Sequence, residues 1–196
     1  ALFSNPSSAA TIYVWTNSPA DGPGTDWTNA FHAIQAAVDA ADSGDTVLVT
    51  NGVYDTGGRV VYGATTNRVV IDKAIKVCSV NGPDVTVIEG PGTANNEAMR
   101  CVYLGTNAEL AGFTLTNGYI RNAPGDLYKE LSGAGLWCED GSVVSNCVIS
   151  GNTAGYNGGG MYKGTALNCT FSGNYAYFDG GGVFQSTLHD CTLSDN

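Results

Sequence analysis

The sequence predicts an all-β chain wound as a parallel β-helix, on three observations. A 22-residue repeat runs through its last third, apolar and small polar residues alternate inside each repeat, and glycine- and asparagine-rich corners separate the short runs. Asn146-Cys-Val-Ile-Ser-Gly-Asn152 returns as Asn168-Cys-Thr-Phe-Ser-Gly-Asn174 and as Asp190-Cys-Thr-Leu-Ser-Asp-Asn196. Between the copies, Gly158-Gly-Gly-Met-Tyr162 returns as Gly180-Gly-Gly-Val-Phe184. A fixed period of this length means stacked units, each burying its apolar face only against its neighbours.

Within a unit, Cys147/Ile149, Cys169/Phe171 and Cys191/Leu193 alternate with smaller residues, which is the two-residue period of a strand. A second run follows the glycines: Leu136-Trp137, Met161-Tyr162 and Val183-Phe184. A repeat of this length has no room for a helix, and the Leu-rich consensus of leucine-rich repeats is absent. The pattern extends upstream, with drift, through 111–118, 99–104, 84–88, 74–78 and 46–50, giving about six coils. The stretch 119–131 is a longer insertion between coils.

Residues 27–41 break the pattern. Trp27, Phe31, Ile34, Val38 and Ala41 fall at helical spacing, Asp26 or Thr28 can cap the start, and Ser43-Gly44 can stop it. The expectation is one amphipathic helix over 27–41 that covers the open end of the core and blocks edge growth there. The chain reads as one domain over 1–196: an N-terminal strand and capping helix over 1–45, then coils over 46–196. No polar closing segment follows Leu193, so the expectation is a solenoid that continues C-terminally, or one that another chain caps. Either way the C-terminal edge is expected to be an interaction site, with a homo-oligomer or filament as one form of it.

The chain has 196 residues, with eight Lys and Arg against 18 Asp and Glu, a formal charge of −10. No basic stripe exists to track phosphates, which argues against nucleic acid, and the acidity disfavours anionic membranes and polyanionic glycans. No apolar run is long enough to span a bilayer. The apolar fraction, 43%, is too high for disorder despite 27 glycines. Cys147, Cys169 and Cys191 are expected to point inward as a column of free thiols, with Cys101 and Cys138 as a similar inward pair. Their stacked spacing would permit a disulfide, but parallel stacking aims the Cβ bonds the same way. No cysteine or histidine cluster suggests zinc. Asn152, Asn174 and Asn196 suggest an amide ladder at a corner, where asparagine also tolerates a left-handed backbone.

Gly181-Gly-Val-Phe184 and Phe171-Ser-Gly-Asn174 resemble the paired glycine-glycine and F-x-x-N motifs of chlamydial polymorphic outer-membrane proteins, over residues 133–196. The segment from helix 27–41 into Gly44-Asp-Thr-Val-Leu-Val-Thr-Asn-Gly-Val-Tyr54 resembles the start of pectin-lyase-like β-helices. Together these resemblances imply a right-handed, extracellular solenoid. They span lyases, hydrolases and adhesins alike, so they imply no single activity. The start Ala-Leu-Phe-Ser suits a mature secreted protein.

The strongest functional signal is aromatic. Alternation turns Trp137, Tyr162 and Phe184 outward, one above another, and Tyr156 and Phe178 form a second column. Such rings can bind sugar rings or a partner's apolar surface; the competing reading is a structural ladder, with loop 119–131 folded over it. That loop carries Arg121, Asp126, Tyr128, Lys129 and Glu130, and a cleft is expected between it and Trp137/Tyr162. The expected partners are a polysaccharide or a cell-surface protein, bound without catalysis. The alternative is a polysaccharide lyase or glycoside hydrolase, for which Arg100, Arg121 and Lys163 are the conceivable bases. Ca²⁺ belongs only to that alternative, with Glu139, Asp140, Asp179 and Asp190 as conceivable ligands. No catalytic residue, metal ligand or cofactor is otherwise assigned, and His32 and His189 have no evident partner.

Overall fold

The structure is a computed structural model that describes residues 9–92, 98–120 and 125–196. Three parallel sheets run the length of a β-helix. The first stacks Thr11–Val14, Thr46–Val49, Lys76–Ser79, Glu109–Ala111, Val143–Ser145, Thr165–Leu167 and Thr187–His189. The second stacks Gly52–Tyr54, Thr86–Glu89, Thr114–Thr116, Val148–Ser150, Thr170–Ser172 and Thr192–Ser194. The third stacks Arg59–Val60, Thr66–Ile71, Met99–Leu104, Leu136–Cys138, Met161–Tyr162 and Val183–Phe184; only its first pair is antiparallel. A short fourth pair joins Thr153–Ala154 to Tyr175–Ala176.

Register puts like on like. Tyr54, Ile88, Leu115, Ile149, Phe171 and Leu193 form one column, and Val69, Val102, Leu136, Met161 and Val183 another. Both columns face one central core, which is what burial by neighbouring coils requires. The polar partners Thr114, Thr116, Ser150, Thr170 and Ser172 stay half-buried on the outside.

The expected 27–41 helix is corrected. Trp27–Asn29 is a single 3₁₀ turn, capped by the Asp26 carboxylate accepting from the amides of Thr28 and Asn29. The α-helix spans only Ile34–Ala40. Between them the chain is extended, because Phe31 bonds to the first strand: its amide donates to Tyr13 O at 2.9 Å and its carbonyl accepts from Trp15 N at 2.8 Å. Ladder bonding thus overrides helical spacing over 30–33. The short helix still sends Ile34, Ala37 and Val38 into the core. Its Gln35 amide exchanges both hydrogen bonds with the Val70 backbone, and Lys73 Nζ donates to the carbonyls of Val38, Asp39 and Ala41 at its C-terminal end.

The amide ladder forms. Asn152 Nδ2 donates to Asn174 Oδ1 at 3.0 Å, and Asn174 Nδ2 to Asn196 Oδ1 at 2.9 Å. Each Oδ1 also accepts the backbone N–H of the preceding ladder residue, at 3.1 Å in both cases. The left-handed corners are elsewhere, however, at Asn146, Asn168 and Asp190, with φ of 51°, 52° and 52°. Gly112 holds the equivalent corner one coil earlier. Left-handed backbone thus recurs at the residue that opens each repeat and, at Gly151, Gly173 and Asp195 with φ of 64°, 61° and 55°, just before each ladder asparagine.

All six cysteines are free thiols. The ladder of Cys147, Cys169 and Cys191 stands as expected, the Cys191 sulfur accepting the Cys169 N–H at 3.4 Å. Burial pushes the Cys147 thiol well up, and the neighbouring Cys147 thiol pulls that of Cys169 down. The expected Cys101–Cys138 pair is corrected: Cys138 stands opposite Leu104, and Cys101 donates to Thr116 O. The two sit at different positions along the same sheet.

Candidate ligand-binding surface

Outside the third sheet, Tyr103, Trp137, Tyr162 and Phe184 stack ring on ring. Centroids lie 5.5, 6.0 and 5.8 Å apart, with planes tilted by 9°, 20° and 11°. Strand alternation turns them outward, but it does not leave them exposed. Trp137 and Tyr162 are each only 3% accessible, so these two rings follow the competing reading of a covered structural ladder and not that of an open platform. Two straps cover them. One is the turn after Arg59–Val60, which lays Val61 and the Tyr62 ring edge-on against Tyr103 and Trp137. The other is the insertion, whose Tyr128 carbonyl accepts from Trp137 Nε1 at 2.8 Å.

The straps are bonded to each other and to the coil. Glu130 Oε2 accepts from Ala64 N, and Thr65 Oγ1 donates to the Glu130 carbonyl. Lys129 Nζ lies 4.8 Å above the Tyr62 ring. Arg100 anchors the insertion from below, fully buried. Its guanidinium donates to the carbonyls of Gly133, Lys129 and Ser132 and to Asn67 Oδ1. Burial lowers its pKa to about 9, and these four acceptors leave it no reach to a substrate. Arg100 is a fastener. Tyr62 and Tyr103 hydroxyls both donate to Glu139 Oε1, at 2.8 and 2.9 Å. The bond to Glu139 raises the Tyr62 pKa, and burial, with the same carboxylate, raises that of Tyr103.

The second aromatic column is different. Tyr128 packs edge-on against Tyr156 at 5.7 Å, and Tyr156 lies 4.7 Å from Phe178. Tyr128 is 51% and Phe178 63% accessible, with Tyr156 half-buried between them. Tyr175 and Tyr177 add a further exposed, edge-packed pair. The row is held by a satellite core of Ile120, Leu131, Ala134 and Ala154, and by Phe178 N donating to Tyr156 O at 3.1 Å. The rings are thus exposed on a backbone already committed to its own bonds.

Around the corner lies a groove of about 320 Å³ lined by Glu139, Asp140, Ser142, Lys163, Thr165, Gln185 and Thr187. Half-buried Phe184 and covered Tyr162 separate it from the exposed row. Of the residues expected to bind, Tyr128, Tyr156 and Phe178 come together, half-buried Phe184 ends the other ladder against Tyr162, Trp137 and Tyr162 are covered, and Arg121 lies outside the described residues. Of the conceivable bases, Lys163 reaches the groove. Glu139 and Asp140 line it, whereas Asp179 adjoins the ring row. Among the described residues, no three His, Cys, Asp or Glu side chains converge as a metal site. The sequence reading missed Tyr62, Tyr103, Tyr175 and Tyr177. Val102-Tyr103 repeats the apolar-aromatic step of Leu136-Trp137 and would have extended the ladder; Tyr62 has no such signal.

The same fold is found in solved structures. The chain matches the pectate lyase Pel9A with a TM-score of 0.62 at 18% identity, covering 94% of this chain and 48% of that one. It matches a pectin methylesterase variant in complex with a hexasaccharide with a TM-score of 0.58 at 13% identity, covering 95% and 56%. The chain spans about half the length of these proteins, and at such identities the likeness is one of fold. No curated protein matches in sequence. Residues 19–194 match the family described as "Protein of unknown function (DUF1565)", and the chain belongs to that family.

Proposed function

We propose that this protein is an extracellular β-helix module that binds polysaccharide through the exposed row Tyr128–Tyr156–Phe178. The observation that carries the reading is the contrast between two aromatic columns on one scaffold. The first is covered by two straps bonded to each other and to the coil; the second leaves Tyr128 and Phe178 exposed. Flat rings presented on a rigid backbone suit the apolar faces of sugar rings, because little side-chain freedom is lost when a ligand settles on them. The likeness in fold to a pectate lyase and to a pectin methylesterase crystallised with a hexasaccharide is compatible with a glycan ligand. The reading is tested on a glycan array, followed by titration of the best ligand into wild type and Phe178→Ala. Binding that weakens about three- to tenfold in the variant supports it, each ring contributing about 0.5–1.5 kcal/mol. An array with no hits, alongside capture of a cell-surface protein, would replace glycan by protein as the partner.

A second reading, catalysis on the same class of polymer, rests on the groove where Lys163 shares a wall with Glu139 and Asp140. Release of unsaturated or reducing ends from uronate polymers, lost in Lys163→Ala, would establish it; no product from any polymer would remove it.

A further inference from the structure

We propose that the exposed aromatic row and the adjoining groove select amino-sugar chains over uronate chains, an inference that rests on the polysaccharide-binding reading above. Three observations carry it. First, the charges beside the rings are mostly carboxylates. Asp179 directly follows Phe178, its amide donating to Asn157 Oδ1 at 3.1 Å, and Asp126 Oδ1 accepts from the amides of Tyr128 and Lys129 at 2.9 Å. Second, the groove around the corner is lined by Glu139 and Asp140, with Lys163 as the one cation among its lining residues. The remaining nearby cation, Lys129, is held over the Tyr62 ring. Both ammonium groups are engaged by rings, Lys129 over Tyr62 and Lys163 5.7 Å from the Tyr162 centroid, and of the four carboxylates Glu139 and Asp126 already accept hydrogen bonds, which leaves Asp140 and Asp179 to face a ligand on a chain of net charge −10. Third, the rings themselves present negative faces. An ammonium-bearing sugar can stack on them and gain cation–π attraction, whereas a carboxylate-bearing one meets like charge at both ends.

The uncharged lining, Ser142, Thr165, Gln185 and Thr187, adds hydroxyl and amide groups that can bond sugar hydroxyls of any chain. Selection is therefore assigned to charge, and affinity common to all glycans to the rings and these polar groups.

The test compares three oligosaccharides of equal length: glucosamine, N-acetylglucosamine and galacturonate. Calorimetric titration at low and high salt is expected to rank glucosamine first and galacturonate last, with the gap closing as salt rises, since the charges are exposed. Among the described residues, Asp140 and Asp179 bond through their backbone and not their side chains. Asp140→Asn/Asp179→Asn should weaken glucosamine binding roughly two- to fivefold per charge while leaving the N-acetylated chain unaffected. Phe178→Ala should weaken both. Galacturonate binding as tightly as glucosamine would overturn the selectivity and leave the glycan reading standing. Glucosamine binding that persists undiminished in Phe178→Ala would reduce the effect to diffuse attraction between opposite charges, and overturn it as well. Failure of all three chains to bind would remove the parent reading with it.

Discussion

Single residues here are chosen for bonds that run along the helix axis. Asn174 makes four such bonds: it donates to Ile149 O and Asn196 Oδ1 and accepts from Asn152 N and Nδ2. Replacing it by Ala leaves the buried Asn152 N without its acceptor and removes one bond from Asn152 Nδ2, at a cost of about 1–3 kcal/mol. Urea unfolding of Asn174→Ala should show that loss; an unchanged midpoint would mean the ladder is decorative. Asp26 makes a local case that depends on pH. Hydrogen bonds from the Thr28 and Asn29 side chains, then from their amides, hold its carboxyl at about 2, below the usual value of about 4. A depressed carboxylate stabilises the fold above its ordinary pKa, and that contribution disappears as pH falls from about 4 through about 2. Trp27, packed edge-on against Tyr13 at 4.7 Å, is the reporter. Its fluorescence should titrate in that window in wild type and stay flat in Asp26→Asn, which keeps an acceptor but no charge. Identical titrations would refute the assignment.

At the scale of elements, the straps decide which rings are structure and which are surface. Arg100 bonds one carbonyl of the insertion, Lys129, and two just after it, Ser132 and Gly133, at once, which the three donors of a lysine ammonium on a flexible stem cannot reproduce with the same geometry. Arg100→Met should release residues 125–133, shift Trp137 fluorescence to the red and lower stability by roughly 3–5 kcal/mol. Arg100→Lys should behave nearly as badly; full recovery with lysine would show that charge alone, not the fork of donors, holds the strap. Much of this level escaped the sequence for one physical reason. Period-two alternation tells whether a side chain faces the core or away from it, and it placed Trp137 and Tyr162 outward correctly. Whether an outward ring stays wet depends on segments distant in the chain, Tyr62 above all, whose position no spacing rule gives. The 27–41 helix was misjudged for a related reason: Phe31 had a strand edge available to it, and ladder bonds to Tyr13 and Trp15 outweighed helical spacing.

For the whole molecule, the 22-residue period made the β-helix legible before any coordinates. Identical residues one period apart, such as Cys147, Cys169 and Cys191, land on one another because parallel register permits nothing else. The opening coils were harder to read, since their spacing drifts and their strands Gly52–Tyr54 and Thr66–Ile71 share no motif with the later copies. Function was legible only as a type of residue. The aromatic columns could be counted, but the structure had to separate a sealed ladder from an open row. The measurement that bears most directly on that separation is ligand affinity read beside folding stability in two variants. Phe178→Ala should lose glycan affinity about three- to tenfold, at about 0.5–1.5 kcal/mol for the ring, with its unfolding midpoint nearly unchanged. Trp137→Ala should instead lose about 3–5 kcal/mol of stability. Undiminished affinity in the first variant, together with a sharp loss in a folded Trp137→Ala, would contradict the account.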